Sequence, residues 1–175
     1  MRRTLSMMIT CLLLVAALCP ISAGAAQKCK DSIKATSHET DYIFNGDGTV
    51  TQKTTGLMWA RCSFGQQWDG SVCKGTIATF TWVEALKLAN LEKFSGYNDW
   101  RLPNKNELES IVEERCVSPA INIKVFPATA QTFYWTSTPY AGLGTGGWSV
   151  DFGYGAVTAT EKNGKIAVRL VRDQE

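Results

Sequence analysis

Gly96-Tyr97-Asn98-Asp99-Trp100-Arg101-Leu102-Pro103-Asn104-Lys105-Asn106-Glu107-Leu108-Glu109-Ser110-Ile111-Val112-Glu113-Glu114 changes character at its midpoint. Tyr97, Trp100 and Leu102 read as the buried residues of a short, half-buried strand. Pro103 stops that strand, because it has no N–H to give a ladder. Asn104 then caps a helix, and Glu107 three residues on completes a capping box. Leu108, Ile111 and Val112 follow as one apolar stripe along that helix. Arg101 lies between two hydrophobic residues, so its guanidinium is expected to cross the corner to a carboxylate or to the backbone. The stretch reads as a strand–helix corner that organises a fold, not as an active site.

Upstream of the corner, Thr79-Phe80-Thr81 looks extended and ends at a second helix. Thr81 caps it, Glu84 lies three residues on, and Trp82, Ala85, Leu86 and Ala89 form its inward face. Earlier still, Tyr42-Ile43-Phe44 and Thr49-Val50-Thr51 flank Asn45-Gly46-Asp47-Gly48, the signature of a β-hairpin. The same Asn-x-Asp-Gly letters occur in calcium loops. The first ligand position would fall on Ile43 and no glutamate closes the loop, so a plain turn is favoured. Thr55-Gly56 makes a second turn, and Leu57 to Ala60 a buried strand.

Downstream, residues 120–130 look irregular, with Ile121, Ile123, Val125 and Phe126 plugging the stretch onto the core. From Thr132 onward the chain reads as β: strands at Phe133–Thr136, Trp148–Phe152, Ala156–Thr160 and Ala167–Val171, separated by Gly and Asn clusters. The predicted fold class is α+β, two helices on a twisted, mainly antiparallel sheet with long loops at one end.

The N-terminus carries an address. Arg2 and Arg3 precede the apolar run Met7–Leu18, and small residues follow up to Ala26, the pattern of a secretory signal peptide over residues 1–26. About 12 apolar residues are too few to span ~30 Å of hydrocarbon, so no membrane insertion is expected after cleavage. A lipoprotein signal at Cys19 is the other reading, disfavoured by the bulky Leu18 before it. Residues 27–40 read as an N-terminal tether and residues 41–175 as one domain, a size that suits a single core.

Loss of Arg2 and Arg3 takes the 18 basic residues to 16, level with the 16 acidic ones. A balanced chain gives no reason to expect a nucleic-acid or acidic-membrane partner. Cys29, Cys62, Cys73 and Cys116 remain after cleavage, an even number with three possible pairings. Cys62–Cys73 is favoured because it closes a short polar loop, and Cys29–Cys116 follows by elimination. A zinc site is the competing reading, but no Cys-x-x-Cys is present and His38 is the only histidine.

Asn45 to Thr51, Thr55-Gly56-Leu57-Met58-Trp59-Ala60, Trp100 to Asn104 with Glu107-Leu108, Tyr134 to Thr138, and Val168-Arg169-Leu170-Val171-Arg172 together resemble the Lcl C-terminal domain family. That family takes its name from a collagen-like bacterial adhesin. The resemblance implies a C-type-lectin-like fold in an exported protein of the bacterial envelope, and adhesion, with sulfated glycans bound by the namesake. No collagen repeat is present, so display on a collagen stalk does not carry over. Arg101 to Asn104 with Glu107 is also similar to a segment of formylglycine-generating enzymes. Their copper-binding cysteines lie near the C-terminus, whereas the last cysteine here is Cys116, so that activity is not expected.

Candidate sites are sparse. The calcium motifs of sugar-binding lectins are missing; Asn98-Asp99-Trp100 has their letters in another order. His38 lies in the presumed tether, so no imidazole base is expected at the core. Glu107/Glu109 and Glu113/Glu114 are two and one residues apart and diverge on a helix. What remains is the glycine-rich loop 142–147 and the strand after it. Tyr140, Asp151 and Tyr154, with Trp148 as either a core residue or a fourth member, form the candidate ligand-binding surface, since an aromatic ring plus a hydroxyl suits stacking on a sugar or anchoring a protein. No catalytic residue, metal or cofactor is assigned. The expected function is a non-catalytic, exported binding module for an extracellular glycan or envelope protein; a pilus or secreted-assembly subunit, or an enzyme of the formylglycine-generating type, are the alternatives.

Overall fold

The structure, a computed structural model, describes residues 26–142 and 144–174. The leader read in residues 1–26 therefore lies, but for Ala26, outside the described residues. The chain begins at β1 (Lys28–Cys29) and turns through a 3-10 helix at Glu39–Asp41. It then folds the hairpin of β2 (Tyr42–Phe44) and β3 (Thr49–Gln52), followed by β4 (Met58–Ala60). In the hairpin turn the Asp47 carboxylate accepts from the Thr49 amide at 3.0 Å and the Thr49 hydroxyl at 2.6 Å. The sequence pattern that could have read as a calcium loop is thus a turn whose carboxylate is already spent.

A small hairpin of β5 (Gln67–Trp68) and β6 (Cys73–Lys74) follows, then β7 (Thr79–Phe80) and α1 (Trp82–Ala89). Thr81 caps α1 reciprocally with Glu84, as the capping-box spacing predicts. After the corner come α2 (Lys105–Glu109), β8 (Cys116–Val117), β9 (Phe133–Pro139), β10 (Gly146–Asp151), β11 (Ala156–Glu161), β12 (Ile166–Ala167) and β13 (Val171–Arg172). The strands form a five-stranded sheet ordered β11-β10-β9-β12-β7, a four-stranded sheet ordered β13-β4-β3-β2, and the pairs β1-β8 and β5-β6. Pairing is antiparallel except between β12 and β9. The architecture is α+β, as the sequence predicts.

Two apolar clusters hold these layers together, and strand alternation divides side chains between them. Trp59, Tyr134 and Val171 enter one cluster, while their chain neighbours Met58, Ala60, Trp135 and Leu170 enter the other. Strands β4, β9 and β13 are therefore covered on both faces, the arrangement a period of two produces when neither face meets water.

The corner is built as predicted at its centre and differently at its ends. Trp100 and Leu102 are buried, and Asn104 and Glu107 form the capping box. Residues 97–102 make no continuous strand: Arg101 forms an isolated bridge to Val171, with N–H to O distances of 2.9 and 3.0 Å. Helix α2 stops at Glu109 instead of continuing to Val112. The Ser110 hydroxyl donates back to Glu107 O at 2.7 Å, a local bond that competes with helix propagation. Ile111 and Val112 are buried nonetheless, Val112 by bridging Ile121. The Arg101 guanidinium does cross the corner, reaching both Glu107 oxygens at 2.8 and 3.0 Å and both Asp173 oxygens at 3.0 and 2.9 Å.

Three more expectations change. Ile121, Val125 and Phe126 plug the irregular stretch into the core, but Ile123 is 42% exposed. The last strand, expected unbroken over Ala167–Val171, splits into β12 in one sheet and β13 in the other. The cause is the segment between them, where Val168 O and Leu170 O accept from the amides of Phe64 and Ala60. Residues 27–40 are docked: Gln27 Nε2 donates to Pro119 O and Ile121 O at 2.7 Å, and the amides of Thr36 and Ser37 donate to Glu113. Cys29 pairs with Cys116, and Cys62 with Cys73.

Candidate functional site

The residues singled out from the sequence fall into two groups. Tyr140 donates its amide to Gly146 O, which places it at the start of β10, and its ring meets Trp148 edge-on at 4.8 Å. Trp148 is half-buried, with Lys105 Nζ 5.8 Å from its ring centre. Asp151 ends β10, where Oδ1 accepts from the Gly153 amide at 2.7 Å, and Tyr154 beyond it is 76% exposed. Tyr140 and Trp148 therefore meet near the start of β10, while Asp151 and Tyr154 lie at and beyond its other end.

A different place is concave. The Cys62–Cys73 bridge pins the base of the β5–β6 hairpin, where Trp68 stands opposite Cys73 and Gln67 opposite Lys74. The hairpin tip is closed by Asp69, whose Oδ1 accepts from the amides of Ser71 and Val72 and whose Oδ2 meets Lys74 Nζ at 2.7 Å. Together the Lys74 ammonium and those amides hold the Asp69 carboxyl well below the usual range. Between this hairpin and the loop after α1 opens a cleft of about 470 Å³, walled by Phe64, Gln67, Trp68, Glu92 and Phe94, with Ala60 and Leu170 also on its lining. That volume is in the range of small-ligand sites.

Each wall is fixed by the fold. Phe64 packs edge-on against Phe80 at 5.5 Å, and its carbonyl accepts from the Ala78 amide. Gly65 lets the two strands of this loop approach: a Cβ there would lie 2.6 Å from Ala78 N, at a φ of +93° that a side chain disfavours. Phe94 forms a bridge with Tyr97 and lies 5.7 Å from the Trp100 ring, whose Nε1 donates to Phe94 O. The corner of the opening stretch therefore positions one wall. Trp68 packs over Gly48, where an added Cβ would come within 2.8 Å of its own Cβ. The Arg61 guanidinium sits 4.1 Å from the Trp68 ring centre and donates to Val125 O and Lys124 O at 2.9 Å, so it is committed.

Behind the cleft lies Arg169, fully buried, its fork donating to Ala60 O, Arg61 O, Ser63 Oγ and Thr129 Oγ1. Burial pushes it down to about 10, and it remains charged at neutral pH. Its role is to hold the backbone of residues 60–63 beneath the cleft.

Two polar groups on the cleft lining are uncommitted, and a third lies covered in its wall. Trp68 Nε1 is buried without a hydrogen-bond partner. Neither the Gln67 amide nor the Glu92 carboxylate has a side-chain partner among the described residues. Burial raises the Glu92 carboxyl above its ordinary value. The Gln67 amide and the Glu92 carboxylate thus face a space with three aromatic walls, while the Trp68 N–H lies covered within its wall. That set can stack on an apolar ring and bond to its substituents.

The sequence reading missed this cleft by treating Ser63–Val72 as a polar loop. The available signal was Phe64 and Trp68, two large aromatics inside a disulfide-closed segment. Two other acidic groups read from the sequence are occupied: Glu107 by Arg101, Glu113 by residues 36 and 37. Among the described residues no group of three or more His, Cys, Asp or Glu could hold a metal ion.

No curated protein matches the sequence. The family model described as the Lcl C-terminal domain matches residues 48–172, a span that holds β3 to β13 and every wall of the cleft. The chain belongs to the Lcl C-terminal domain family.

Proposed function

We propose that the protein is an exported, non-catalytic binding module that recognises an extracellular glycan in the cleft beside the Cys62–Cys73 hairpin. The observation that carries this reading is the meeting of Phe64, Trp68 and Phe94 with the unspent Gln67 amide and Glu92 carboxylate in one hollow. Aromatic faces suit the apolar face of a sugar ring, and convergent hydrogen-bonding groups suit its hydroxyls. Two disulfides suit an oxidising compartment, which agrees with the secretory leader expected in residues 1–26. No helix among the described residues is long and apolar enough to cross a membrane. A C-type-lectin-like form and a place in the bacterial envelope belong to the same reading.

The test is a glycan array probed with protein purified after export, followed by calorimetric titration of the best hits. Trp68→Ala and Phe94→Ala should each weaken binding at least tenfold, while Tyr154→Ala leaves it unchanged. An array blank at high protein concentration would contradict the proposal. Capture that needs Tyr140 or Tyr154 instead of Trp68 would move the site to the β10 ends.

A further inference from the structure

The charge around the cleft says which kind of sugar it takes. Among the described residues, Glu92 is the only charged side chain on its lining. The cations of the same region stay off that lining: Lys74 is paired with Asp69, and Arg61 and Arg169 keep their charge behind the walls, bonded to carbonyls and hydroxyls. The aromatic walls add the negative faces of their π systems. The one full charge on the lining is therefore negative, beside aromatic faces and the neutral amide of Gln67. Desolvation of Glu92 has no compensating partner within the described residues, and an ammonium would supply it. A sulfate or uronate placed there would meet a like charge with no cation on the lining beside it.

Resting on the glycan reading above, we propose that the cleft binds a saccharide carrying a free amino group and turns away sulfated or uronate-bearing ones. The amine pairs with the Glu92 carboxylate, and a sugar ring stacks on the aromatic wall, with the Gln67 amide serving its hydroxyls. This preference is opposite in sign to the sulfated glycans that the family resemblance implies.

Three probes test it on protein purified after export: a glucosamine oligosaccharide, its N-acetylated counterpart, and a heparin-derived sulfated oligosaccharide. The glucosamine oligomer should bind about tenfold tighter than the N-acetylated one, the scale of one desolvated charge pairing, and the sulfated probe should not bind. Glu92→Gln should level the first two affinities without lowering the melting temperature, and Glu114→Gln, an exposed acid outside the cleft, should change nothing. Tightest binding of the sulfated probe in a Trp68-dependent manner would overturn the charge preference and leave the glycan site standing. An unchanged amine preference in Glu92→Gln would also overturn it. Failure of all three probes, together with a blank array, would remove the glycan reading itself.

Discussion

Arg169 is a buried cation whose described partners are carbonyls and hydroxyls, with two aromatic rings nearby, Phe126 at 4.8 Å and Tyr134 at 5.9 Å. Removing it strands several buried acceptors at once. Arg169→Met should therefore cost roughly 3–5 kcal/mol, read as a drop in the urea midpoint at constant slope. Arg169→Lys should recover little of it, because an ammonium cannot reach acceptors arrayed for a planar fork. A second residue-scale prediction concerns acid. Arg172 donates to both Asp99 oxygens, at 2.7 and 2.9 Å, and holds that carboxyl below its ordinary value. A depressed carboxyl stabilises the fold above its unfolded pKa of about 3.9, and that stability goes as pH falls through the lower folded value. Asp99→Asn should accordingly flatten stability against pH in that acidic window while changing little of the slope near neutrality. That Arg101 would pair across its corner was legible from its apolar neighbours; that Arg169 would be buried was not, because an arginine inside a strand pattern normally reads as an exposed residue.

At the scale of elements, the two disulfides separate stability from binding. Cys29–Cys116 closes a separation of 87 residues and Cys62–Cys73 one of 11. Loop entropy makes the first worth about 4–5 kcal/mol and the second about 3. Replacing Cys29 and Cys116 by Ser should lower the melting temperature more, yet leave the cleft's affinity intact in the cold. Replacing Cys62 and Cys73 should cost less stability and more binding, because β5–β6 carries Trp68. Equal loss of affinity in both pairs would deny the hairpin its special role. Capping boxes at Thr81 and Asn104 and the β2–β3 hairpin were readable because each is decided within a few residues. The split between β12 and β13 was not, since long-range bonds from Ala60 and Phe64 to Leu170 and Val168 impose it.

Over the whole molecule, side chains of one strand serve two clusters, and the loops between strands carry the cleft. Periodicity announced the buried strands, but concavity is a relation between Trp68 and Phe94, segments that sequence order keeps apart. The glycine-rich loop points to Tyr140, Asp151 and Tyr154, and β10 sets Tyr140 near its start and the other two at its far end. All six tryptophans lie in the domain, each with one indole N–H, and that of Trp68 is buried, unpartnered and in the cleft wall. The direct measurement is a proton–nitrogen correlation spectrum of ¹⁵N-labelled protein titrated with a glucosamine oligosaccharide. The Trp68 indole resonance should shift with saturation while those of Trp59 and Trp100, inside the core, stay still. Movement of the Trp148 resonance with Trp68 unchanged, or no saturable movement at all, would contradict the account.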